Sequence, residues 1–219
     1  MAYTDIDKPS DYFNTITWTG DGSSSRNITG VGFKPDWLWV KCRNATVSHA
    51  VYDSVRGASK LINTNATSAE GTNPAVNAFI SDGFTVNSDS YVNLNNNTYV
   101  AWNWLASNTT ASNTDGSINS TVSVNTTAGF SIVSYTGTGS TATVGHGLGV
   151  APAMILIKGR SFADDWLVYH QSMGNTHAIN LNLTNASSSS INYWQNTTPS
   201  SSVVYIGAND KHNKSSETY

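Results

Sequence analysis

The chain has 219 residues, of which 11% are charged, with a net charge of −3 and one cysteine. So dilute and slightly acidic a set of charges lacks the basic footprint of a nucleic-acid binder, and a lone cysteine makes neither an intrachain disulfide nor a cysteine-rich metal site. No apolar run approaches the roughly 18 residues of a membrane helix, and the start Met-Ala-Tyr-Thr-Asp-Ile-Asp has neither region of a signal peptide, so a protein made without export or membrane insertion is expected.

Ser, Thr, Asn and Gly fill the positions that Lys and Glu usually hold, and a two-residue alternation recurs along the chain, so its elements read as strands. Asp5 to Asp11, with Pro9, reads as an extended arm leading into a first strand, Tyr12 to Trp18, that ends in a hairpin turn at Gly20-Asp21-Gly22. A short strand at Arg26 to Thr29 and a glycine turn precede Asp36 to Arg43. There Trp37, Trp39, Lys41 and Arg43 alternate with Leu38, Val40 and Cys42. This is read as a central strand with Leu38 and Val40 in the core, Cys42 as a small buried hydrophobe, and Lys and Arg stems carrying charge outward at its end. Pro35 sits before it, where a missing N–H costs nothing. Strands at His49 to Val55 and Ser59 to Asn63 follow, then a polar crossover loop from Thr64 to Pro74. A hairpin of Val76 to Ile80 and Phe84 to Asn87 turns at Ser81-Asp82-Gly83. Tyr99 to Leu105 closes the unit, and Trp37, Trp39, Trp102 and Trp104 are expected in its core.

Pairing Pro35 with Pro152 sets an offset of 117 residues that also aligns Phe13 with Phe130, Gly20 with Gly137, Gly22 with Gly139, Lys41 with Lys158, Arg43 with Arg160 and Tyr52 with Tyr169. Such an internal duplication governs the reading of the whole chain. The expected fold is all-β: two tandem, similar antiparallel β-sandwich units, jelly-roll or lectin-like. The first spans 1–106 with its N-terminal arm, and the second spans 129–219. Between them, 107–128 is rich in Ser, Thr and Asn and is either a linker or the first strand of the second unit, since Ile118, Val122 and Val124 fall at even spacing. Ile155 and Ile157 repeat Leu38 and Val40 as core. Asn97-Thr98-Tyr99 matches Glu217-Thr218-Tyr219, but nothing matches Val100 to Trp104. The second unit is therefore expected to lack its last strand, leaving an edge for something else to cover.

Candidate chemistry is sparse. His49, Tyr52, Asp53 and Arg56 cluster after the central strand and, with Lys41 and Arg43, are weighed as one polar site against a buried tyrosine plus an Asp–Arg pair bracing a turn. Their matched positions make Lys158, Arg160 and Tyr169 candidate contacts in the second copy. Trp18, Trp166 and Trp194 are the candidate tryptophans for contact with a ligand or partner, weighed against a place in the core. The five histidines show no metal-ligand spacing, and Asn113-Thr114-Asp115-Gly116-Ser117 has too few acids for a calcium loop, so it reads as a turn. No catalytic residue, cofactor or metal is expected.

Lys8-Pro9-Ser10-Asp11-Tyr12-Phe13-Asn14-Thr15, Gly30-x-Gly32-Phe33-x-Pro35-Asp36-Trp37, Tyr52-Asp53-Ser54-Val55-Arg56-Gly57, Ser81-Asp82-Gly83-Phe84 and Asn113 to Ser117 resemble a repeated domain of unknown function. That domain is found in virion structural and tail-fibre proteins of marine bacteriophages, and the resemblance covers almost the whole chain in both copies. It brings no catalytic or binding residues to carry over. It implies a non-enzymatic virion surface protein, a fibre, knob or capsid decoration subunit, assembled in the host bacterial cytoplasm. Its expected partners are other virion proteins and further copies of itself, a trimer being favoured. The alternative is a carbohydrate-binding receptor module at a fibre tip that recognises a host surface glycan.

Overall fold

The computed structural model describes residues 6–219. Of the N-terminal arm, Asp5 lies outside the described residues, as do the first four residues of the start read above, and Pro9–Asp11 forms a single 3-10 turn. The protein is all-β, and among the described residues the antiparallel sheets are open at their edges and form no closed barrel. It divides into two compact units. One comprises residues up to Asn63 with Gly71–Thr109; the other comprises Thr64–Glu70 with Thr110–Tyr219.

Unit one contains β1 (Phe13–Thr19), β2 (Arg26–Thr29), β3 (Trp37–Cys42), β4 (Ala50–Asp53), β5 (Gly57–Asn63), β6 (Gly71–Thr72), β7 (Val76–Ile80), β8 (Gly83–Val86) and β9 (Thr98–Trp104). A six-stranded sheet in the order β1-β9-β3-β4-β5-β6 stands with a three-stranded sheet, β2-β8-β7. Leu38 and Val40 are fully buried, as expected, and with Tyr52, Tyr99 and Ala101 they cluster with Ile28, Phe84 and Val86 of the smaller sheet. The expected hairpin at Gly20-Asp21-Gly22 is corrected: β1 pairs with β9 and β2 with β8, so this segment carries the chain from one sheet to the other. Its glycine has a packing reason, because a Cβ on Gly20 would lie 2.2 Å from the Leu94 carbonyl oxygen. The turn at Ser81-Asp82-Gly83 does join the paired strands β7 and β8. Asp82 accepts from the Gly30 and Gly32 amides at 3.0 and 2.6 Å, holding the glycine turn ahead of β3.

Unit two contains β10 (Ala111–Asn113), β11 (Ser120–Asn125), β12 (Phe130–Tyr135), β13 (Ala142–Gly145), β14 (Met154–Ile157), β15 (Leu167–His170), β16 (His177–Asn180), β17 (Ser188–Ser189), α1 (Ile191–Trp194), β18 (Val203–Ile206) and α2 (Asp210–Asn213). Its sheets are β10-β11-β12, β14-β15-β16-β17 and β13-β18. The two units repeat in detail. Tyr99 stacks on Trp18 at 5.3 Å, and its hydroxyl accepts from the Leu94 amide and donates to the Ser90 carbonyl. Tyr219 stacks on Tyr135 at 5.1 Å, and its hydroxyl accepts from the Lys214 amide and donates to the Asp210 carbonyl.

One difference matters. In unit one β9 lies between β1 and β3, whereas in unit two the corresponding strands β12 and β14 are edge strands of separate sheets. The tail enters between them only at its tip. Tyr219 exchanges backbone hydrogen bonds with Tyr135, and the Thr218 carbonyl accepts from the Arg160 amide at 2.8 Å. Ile157 is buried as expected, and Ile155, the counterpart of Leu38, packs against the same core but is half-buried, which corrects the expectation that it is buried. It lies in edge strand β14, where neighbouring Met154 is 53% exposed.

Candidate functional site

The alternation along β1, β9 and β3 sends one set of side chains into the core of unit one and the other set outward. Across the sheet, the outward rows are Phe13–Trp104–Trp37, Thr15–Trp102–Trp39 and Thr17–Val100–Lys41. Trp37, Trp39, Trp102 and Trp104 were expected in the core, and this is corrected: they stand half-buried on the outer face. The reason is that Leu38, Val40 and Cys42, with Tyr99, Ala101 and Asn103, take the buried phase. Phe13 leans on Trp104 at 4.7 Å, and Trp39 meets Trp102 edge-on at 6.2 Å. Phe13, Trp39, Lys41, His49, Trp102 and Trp104 line an open groove of about 340 Å³.

The charges beside the groove are cationic. Lys41 anchors its ammonium on the Val47 carbonyl at 2.8 Å and the Ala45 carbonyl at 3.4 Å. Arg43, next in the same phase, is exposed. Burial and the nearby Lys41 charge lower the pKa of His49, which keeps it neutral near pH 7. The acid of this phase, Asp53, is ion-paired with Arg56, and both side chains are almost wholly buried. Asp53 also accepts from the Val55 and Arg56 amides, while Arg56 reaches the Lys60 and Val51 carbonyls. This pair braces the turn into β5. Tyr52 points into the core on the opposite face, where burial pushes its hydroxyl well up. The cluster of His49, Tyr52, Asp53 and Arg56 is thus split: Tyr52 faces the core, Asp53 lies in the outward phase but is closed off by Arg56, and Lys41, His49 and Arg43 remain on the groove's side.

The remaining expected contacts are mostly structural. Trp18 packs on the core side against Tyr99 and Phe84 and donates to the Val92 carbonyl. Trp166 and Trp194 are buried, Trp194 donating to the His177 carbonyl, which corrects their assignment as ligand contacts. Tyr169 is also buried. In unit two, residues Thr64–Glu70 cover the equivalents of Lys41 and Arg43. Lys158 is buried, donating to the Gly159 and Thr67 carbonyls, and burial pulls its pKa down to about 8. Arg160 grips both oxygens of Glu70, at 3.0 and 3.2 Å, and donates to Ser134. Asn113 accepts from the Asp115 amide, the turn expected there. Among the described residues, no cluster of acids, histidines and cysteine gathers with metal-binding geometry.

His146 gave no sequence signal, because nothing near it carries metal or nucleophile spacing. Its Nδ1 accepts from the Leu148 amide and its Nε2 donates to the Ser200 carbonyl, which fixes a neutral tautomer in a buried site. Burial lowers its pKa below the ordinary histidine value, against smaller upward pulls from Ser200 and Asp115. Below about pH 6.5 the unfolded chain then binds a proton that the native state resists, so stability present above that pH is lost as pH falls. Melting temperature is expected to drop between pH 7 and 5, and to drop less in His146→Gln. A residual slope remains in that variant, since His49 and His212 are lowered too.

A family model described as a domain of unknown function, DUF7483, matches residues 8–219 and so spans both units. The chain belongs to the DUF7483 family. No curated protein and no solved structure matches this DUF7483 chain. Its aromatic groove therefore stands on its own geometry.

Proposed function

We propose that the chain is a non-enzymatic structural module of a bacteriophage particle surface, a fibre, knob or capsid decoration subunit that works in an assembly with copies of itself and with other virion proteins. The observation that carries this reading is the facing pair of edge strands, β12 and β14, in unit two. β12 pairs only with β11 and β14 only with β15, Tyr219 bridging the gap at its tip, and such an edge is a place where a further strand, of this chain or of another, adds to a sheet. The ion pairs fit the same reading, since Asp53–Arg56, Glu70–Arg160 and Asp165–Lys211 each tie a loop down. Sedimentation of the isolated 219-residue chain tests it. Self-association into a closed oligomer, with a trimer as the first expectation, supports the reading. A stable monomer whose β12 and β14 amides are fully protected from exchange, or release of reducing sugar from any polysaccharide, counts against it.

A second reading, a carbohydrate-binding receptor module, is favoured by the outward aromatics of β3 and β9. Binding on a glycan array separates it from a purely structural role.

A further inference from the structure

The outer face of unit one mixes three kinds of side chain in a regular order. Each of the first two rows across β1, β9 and β3 holds at least two aromatic rings, and the second adds the exposed hydroxyl of Thr15. Thr17 and Thr19 continue that line of exposed hydroxyls along β1. At the far end, the third row brings Lys41, with Arg43 exposed one step beyond it in the same phase. A protein-docking patch needs a contiguous apolar centre. Here the apolar centre is a strip of rings flanked by hydroxyls on one side and cations at one end.

Sugars suit that pattern. The axial C–H groups of a pyranose carry partial positive charge, and an aromatic face carries the negative part of its quadrupole. Hydroxyls exchange hydrogen bonds with threonine. The rim decides which sugars. Lys41 and Arg43 are cationic, and the acid of this face, Asp53, is already neutralised by Arg56, so an anionic group is attracted while nothing on the face repels it.

We propose that the aromatic groove of unit one binds an acidic polysaccharide, its pyranose rings lying against Trp39, Trp102 and Trp104 and its carboxylates directed to Lys41 and Arg43. This rests on the glycan-binding reading above and narrows it to uronic-acid chains.

The test uses the whole 219-residue chain in affinity electrophoresis through gels containing polygalacturonate, alginate or neutral dextran, with tryptophan fluorescence as a second readout. Both acidic polymers are expected to retard the protein and quench its fluorescence, dextran much less, and added salt should weaken the retardation. Trp102→Ala should weaken binding of acidic polymer by about tenfold or more, with Trp102→Phe intermediate. Arg43→Gln, an exposed change, should remove much of the preference for acidic over neutral polymer and leave the melting temperature unchanged. Equal retardation by dextran and polygalacturonate would keep the glycan reading and overturn the acidic specificity. If no polysaccharide binds, both fall. Acidic binding that survives Trp102→Ala and Arg43→Gln together would place the site elsewhere and overturn the proposal.

Discussion

Val40→Asp is expected to abolish the cooperative melting of unit one. Val40 is fully buried in β3, with Ala50 of β4 on one side and Ala101 of β9 on the other. A carboxylate there has no cation to meet and would either stay ionised in an apolar site or take up a proton and remain poorly bonded, at a cost of several kcal/mol. Against a typical domain stability of about 5–15 kcal/mol, that leaves little or nothing. Thermal melting followed by near-ultraviolet circular dichroism reads the loss, because five of the seven tryptophans lie in unit one. Ile157→Asp should do the same to unit two. Unmoved melting in either variant would mean that the facing of the central strands is wrong.

Arg56→Ala should cost nearly as much by a different route. The Asp53 side chain is 2% exposed, and the guanidinium that neutralises it is 6% exposed. Removing the cation strands a buried carboxylate whose remaining partners are the Val55 and Arg56 amides. Breaking a buried pair from one side typically costs about 3–5 kcal/mol. The double change Asp53→Asn with Arg56→Met removes both charges and should recover much of that loss. Urea unfolding of the two variants beside the wild type measures the difference, and an Arg56→Ala midpoint equal to wild type would show that solvent reaches the pair.

The central strand shows how much of this was legible in the sequence. The alternation of Trp37, Trp39 and Lys41 with Leu38 and Val40 gave the strand and its two faces correctly, because the period of two is a property of the backbone. It did not say which face was inward for the tryptophans. Both sets are apolar, and the choice is made by Ile28, Phe84 and Val86 of the opposing sheet, distant in sequence. The aromatic groove was missed for that reason. Trp166 and Trp194 were misassigned for the converse one: neither has an alternating run around it, and both fill the core of unit two through loop and helix backbone. Gly20-Asp21-Gly22 is compatible with a hairpin and with a crossing alike, and only the Leu94 carbonyl packed on Gly20 separates them. The duplication, by contrast, was plain in the matched glycines and basic residues and extends down to the paired tyrosine stacks.

The segment Thr64–Glu70 lies within the first repeat in sequence but belongs to unit two. It supplies the carboxylate for Arg160 and a carbonyl acceptor for Lys158. The repeats are therefore not interchangeable cassettes. During synthesis this seven-residue piece leaves the ribosome well before the strands it braces, so the second unit folds onto a part made in advance. Residues 110–219 expressed alone would keep every strand of unit two and still leave Arg160 without its acid. A genetic cut between the repeats divides the sequence cleanly but not the structure.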